Sequence, residues 1–179
     1  MRARWWSFLG TVAVYAAASI WAASAGPDPF PTHFDLSGRP LTWGPRGEAV
    51  LLHAPIAATI AVVFGGLALL APRLPTALIR IPRRDHWLSP AHRPRFDEVL
   101  AGFLLWAGGL VLLHRAATIV VTTIDPHETA AKSTLLVVLL LAIAGSIGYL
   151  LWLLAHPPQR SVTATRGVRP DRNPDRSPR

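Results

Sequence analysis

The sequence predicts an all-α integral membrane fold, a four-helix transmembrane bundle with a structured extracytoplasmic loop. Three observations predict it. Apolar residues make up 51% of the 179, and they gather in four blocks, each near the ~20 residues that cross ~30 Å of hydrocarbon. The blocks barely alternate with polar residues at helical spacing, as a helix facing water would. The cations, finally, concentrate on alternate connections between the blocks, the bias that orients membrane helices.

The first span is read at 5–25, behind Arg2 and Arg4, with Trp5, Trp6 and Trp21 at its ends as interface anchors. A secretory signal would share the basic start and end on a site like Ala23-Ser24-Ala25. The apolar stretch is longer than the usual 7–15 residues of such a signal, so a retained helix is expected. The second span is read at 49–71, closed by Pro72, and the third at 99–121. The fourth is read at 134–155, closed by Pro157 and Pro158. Stripes of small residues, Ala13, Ala17, Ala18 and Ala22 in the first span and Ala144 with Gly148 in the fourth, are expected to bring helices together. Residues 158–179 are Arg, Pro, Ser, Thr and Asp with little that is apolar, which reads as a disordered basic cytoplasmic tail.

The formal net charge is +8. In a soluble chain that would suggest nucleic acid; here the cations serve topology, and no nucleic acid partner is expected. Fourteen of the 18 lie before the first span, between the second and third, or in the tail. Only Arg39, Arg46 and Lys132 lie on the other side, and Arg115 falls within the third span. Both termini and the middle loop are therefore expected in the cytoplasm, with 26–48 outside. With no cysteine in the chain, disulfides, thiolate catalysis and Cys-ligated zinc are excluded. No phosphate loop, dinucleotide fingerprint or nucleophile elbow is present, so neither an enzyme nor a cofactor is expected.

Three places hold residues able to recognise something. The outer segment 26–48 carries five prolines and four glycines, which favour turns over a long helix or strand. Ser37-Gly38-Arg39-Pro40 is a turn signal, and Asp35 is placed to accept from backbone amides two residues on. His33, Asp35, Arg39 and Trp43 are the candidate contacts for a ligand or partner; a cap whose polar groups satisfy its own backbone is the plainer reading. His114 and Arg115 form a polar pair inside the third span, where charge is costly and usually meets protein or water. Arg115 is expected to snorkel outward or to pair with Asp35 or Glu48. His33, His53 and His114 are weak metal candidates, with His127, Asp125 and Glu128 nearby on the same side, but no two stand at a tight ligand spacing. The inner segment 79–97 holds Asp85, His86 and Trp87 among arginines. Trp87 reads as an interfacial anchor, Ser89-Pro90 as a helix start, and the arginines as contacts for anionic lipid.

Two of these segments resemble a known family. Pro31-Thr32-His33-Phe34-Asp35, Ser37-Gly38 and Trp43-Gly44, followed by Ile81-Pro82 and Asp85-His86-Trp87-Leu88-Ser89-Pro90, stand in the same order as in an uncharacterised membrane domain. That domain also forms the N-terminal part of the SdpI-type immunity proteins of bacteria. The resemblance covers roughly residues 5–122 and implies a protein of the bacterial cytoplasmic (inner) membrane.

The expected function is non-enzymatic, binding, sensing or immunity-like, with 26–48 as the recognition surface. Membrane lipids, a peptide ligand, another membrane protein or a second copy are the expected partners. An accessory subunit of a larger complex is the second reading, and a small transporter or metal-handling protein the third.

Overall fold

The computed structural model describes residues 2–157; the expected tail lies outside the described residues. The chain is a multi-pass membrane protein with four helices long and apolar enough to cross a bilayer. Helix α1 is Arg2–Ala25, followed by a hairpin of β1 (Phe30–Phe34) and β2 (Pro40–Gly44). Helix α2 (Arg46–Leu70) runs into short 3-10 turns at Ala71–Arg73 and Thr76–Leu78. A single helical turn, α3 (Arg84–Trp87), precedes the long α4 (Arg93–Ile124) and then α5 (Ala130–Ala155). The four long helices all begin before their apolar blocks, at Arg2, Arg46, Arg93 and Ala130, because the polar residues there continue the backbone ladder.

Helices α1, α2 and α4 form the core, and α5 packs chiefly on α4. The crossing point is Gly108. A Cβ there would lie 2.6 Å from the Phe64 Cβ of α2 and 3.1 Å from the Phe8 ring of α1. The missing side chain is what lets three backbones converge, the close approach that small residues provide between membrane helices. The seam along α1 is Phe8, Tyr15, Ala18 and Ala22. Tyr15 closes it by donating its hydroxyl to the His53 carbonyl of α2 at 2.9 Å.

Of the six small residues expected to bring helices together, two do so. Ala18 and Ala22 are buried, whereas Ala13, Ala17, Ala144 and Gly148 are exposed among the described residues. A four-residue spacing shares one helix face, but it does not say which face meets a neighbour.

At the arginine-rich end the inner segment departs from two expectations. Trp87 is 1% exposed, not an anchor in the lipid interface. It packs with Ile79, Phe96 and Leu154 and donates its indole N–H to the Leu154 carbonyl at 2.8 Å. A buried indole needs an acceptor, and the end of α5 offers one among its last unpaired carbonyls. Ser89-Pro90 does not start α4. The Ser89 hydroxyl donates to the His86 carbonyl at 2.8 Å, which holds it in the preceding turn, and the helix begins at Arg93 with Pro94 in its first turn, where a missing N–H costs nothing.

Candidate functional site

The segment 26–48 folds as an antiparallel hairpin with irregular register, pairing Phe30 with Gly44 and Phe34 with Pro40. Its base is set into the bundle: Phe30 is buried in the core cluster with Ala22 and Ala49. Arg46 at the start of α2 donates to the Gly26 carbonyl at the end of α1, 2.9 Å away. The prolines limit strand length by removing ladder donors, so the strands are five residues each.

The turn is built on Asp35, as the sequence suggested. One carboxylate oxygen, Oδ1, accepts from the Ser37 amide at 2.8 Å, the Ser37 hydroxyl at 2.7 Å and the Arg39 amide at 2.9 Å. These donors, the Ser37 hydroxyl first, hold the carboxyl below its ordinary value of 3.8. Gly38 sits at φ 83°, and a Cβ there would lie 2.9 Å from the Lys132 Cβ on α5. The tip thus needs glycine both for its backbone angle and for its contact with the bundle.

Two further contacts tie the hairpin to the α4–α5 connection. The Lys132 ammonium lies 4.8 Å from the centre of the Phe34 ring, within cation–π range, and donates to the Pro126 carbonyl at 2.6 Å. Lys132 is 4% exposed, and sequence reading missed its role because a lone Lys beside a span usually marks topology. Trp43 packs against His127, with ring centres 5.4 Å apart. Asp125 accepts from the His127 amide and Glu128 from the Ala131 amide, so both carboxylates hold the α4–α5 turn.

Beneath the hairpin lies Arg115. Its expected carboxylate partner is absent: among the described residues the one ion pair is Arg93–Asp97, at 2.8 Å. Asp35 is committed to its turn, and Arg115 instead donates from Nη2 to the Nδ1 of His53 at 2.8 Å. A guanidinium only donates, so this bond requires His53, 7% exposed, in its tautomer with the proton on Nε2. Arg115 Nε and His114 Nδ1 are buried and meet no partner among the described residues. Two recesses flank the guanidinium. One of about 370 Å³ is lined by His33, Leu52, His53 and Arg115; the other, about 130 Å³, is lined by Asp35, His114, Arg115 and Lys132.

The candidates thus separate by role. His33, at 3.0 Å from the Thr42 hydroxyl, is exposed and walls the larger recess. Asp35 is structural, Arg39 is exposed, and Trp43 bridges to His127. His53 and Arg115 come together, while His114 lines only the smaller recess. At the other end, His86 stacks on His92 at 4.0 Å and meets Trp87 edge-on. Desolvation, then the neighbouring His92 and Arg83, keeps the His86 imidazole below its ordinary range. Asp85 stands in the first turn of α3. No three His, Asp or Glu side chains come together as a metal set among the described residues.

Residues 10–58 match a domain of unknown function, DUF1648. The match takes in most of α1, the whole hairpin and the first half of α2, and so includes His33, Asp35, Trp43 and His53 but not Arg115. No curated protein and no solved structure matches the chain.

Proposed function

We propose that this is a non-enzymatic binding or sensing protein of a bacterial cytoplasmic membrane, akin to the SdpI-type immunity proteins, with both termini in the cytoplasm. In this reading the hairpin faces outward and is the recognition surface for a peptide or another membrane protein. The observation that carries it is at the tip. Leu36 is 89% exposed and Leu41 63%, on a hairpin whose turn is held by Asp35 and whose Phe34 and Trp43 rings rest against Lys132 and His127. A rigid surface that presents apolar side chains loses little entropy on binding, and exposed apolar groups beside a polar rim suit a contact site. Arg39 and His33 supply the polar rim.

The supporting experiment is a pull-down from native membranes in mild detergent, comparing the wild type with a variant carrying L36S, R39A and L41S. These changes leave the Asp35 turn and the helix contacts alone. Loss of the copurifying protein, with unchanged thermal stability, is the expected result; full retention of every partner would discard the hairpin as the recognition surface.

A second reading, an accessory subunit of a larger complex, is favoured by α5. No residue from 133 to 153 is buried, and among the described elements the helix packs chiefly on α4. A stoichiometric partner that survives the hairpin changes and is lost on altering the exposed face of α5 would favour this reading.

A further inference from the structure

A groove of about 640 Å³ runs between α4 and α5 at the arginine-rich end, with the start of α1 at its rim. Phe103, Trp106, Tyr149 and Leu153 form its walls, while Arg4 and Arg95 stand at its mouth. No carboxylate lines it among the described residues, and the nearby Asp97 is held by Arg93 at 2.8 Å.

Arg4 is placed there by Gly102. A Cβ at that position would collide with its guanidinium, so the glycine lets Arg4 lie across α4 and donate from Nη1 to the Glu98 carbonyl at 2.7 Å. That bond uses one of the five guanidinium donors and leaves the others available. Arg95 is exposed in the first turn of α4. On the α5 side, a Cβ built on Gly145 meets nothing within 4 Å, so the groove stays open along its depth.

The dimensions fit one leaflet. Between Arg95 and Trp106 the helix rises roughly 16 Å at ~1.5 Å per residue, about half of the ~30 Å hydrocarbon core. A cationic mouth at headgroup depth, above an apolar channel one leaflet long, is complementary to an anionic headgroup that carries an acyl chain. We infer that this groove is a binding site for one anionic phospholipid, with its phosphate on Arg4 and Arg95 and a chain along Trp106 and Tyr149. This goes beyond the diffuse attraction of a basic loop for a charged surface, because both the position and the acyl channel are built.

The test is native mass spectrometry of the full chain from mild detergent, loaded with phosphatidylglycerol, phosphatidylcholine or inorganic phosphate. One phosphatidylglycerol is expected to stay bound, in preference to phosphatidylcholine, and phosphate alone is expected not to. R95Q should lower that preference roughly fivefold. G145L, whose Cβ has open space and whose side chain would narrow the channel, should weaken retention of the lipid while leaving the thermal stability of the lipid-free protein unchanged. R4Q is the weaker test, since Arg4 also holds α1 to α4. Equal retention of both lipids, or R95Q and G145L both behaving as wild type, would overturn the proposal. So would phosphate binding as well as the lipid, or a lipid-free dimer that G145L abolishes.

Discussion

At Asp35 a single carboxylate oxygen accepts from three donors in a five-residue turn. Because these bonds hold the folded carboxyl below its ordinary value of 3.8, its stabilising contribution is complete above that value. The contribution is lost only as pH falls through the lower folded value. Protection of the turn amides, followed by hydrogen–deuterium exchange, should therefore be constant between about pH 8 and pH 5 and fall only in stronger acid. D35A should lose that protection at all pH values while the helices keep theirs. The His53–Arg115 contact makes a different prediction, an asymmetry. R115M removes a costly charge and leaves one unpaired imidazole nitrogen, a loss of about 1 kcal/mol. H53F leaves the half-buried guanidinium without its acceptor, which should cost more, about 1.5–3 kcal/mol. Thermal unfolding of the two variants in one detergent compares them, and equal losses would contradict the described contact.

Among the helices, glycine position matters more than glycine content. Gly108 lies where α1, α2 and α4 meet, and its missing Cβ space is occupied by Phe64 and Phe8. Gly148, on α5, has open space around it. G108A should destabilise the bundle by about 1–3 kcal/mol through overpacking, whereas G148A should be neutral or slightly favourable because alanine is the better helix former. The same contrast explains why the small-residue stripes were only partly legible. Ala18 and Ala22 lie on the face of α1 that meets the core, and Ala13 and Ala17 do not. Nothing in local spacing distinguishes those faces when the lipid side is as apolar as the packed side. Trp87 was misread for a related reason: an aromatic beside arginines matches an interfacial anchor, and only the fold brings the Leu154 carbonyl within reach.

For the molecule as a whole, span number was readable because hydrocarbon thickness dictates helix length, and each of the four apolar blocks became one helix. The turn of the hairpin was readable because Asp35, Ser37 and Gly38 interact within five residues. The platform under it was not. Lys132 on Phe34, His127 on Trp43 and Arg115 on His53 each join residues at least 60 positions apart, so no local pattern announces them. Arg115 stood out as a charge within a span, but its partner proved to be an imidazole in α2 instead of a carboxylate in the loop. The proposed function requires the hairpin and the arginine-rich segment to lie on opposite sides of the membrane, with the hairpin outside. Because the chain has no cysteine, S37C at the hairpin tip and S89C before α4 can each be read alone with a membrane-impermeant maleimide on intact cells. The account predicts that S37C labels at once and S89C only after the membrane is opened; S89C labelling from outside, with S37C protected, would contradict it.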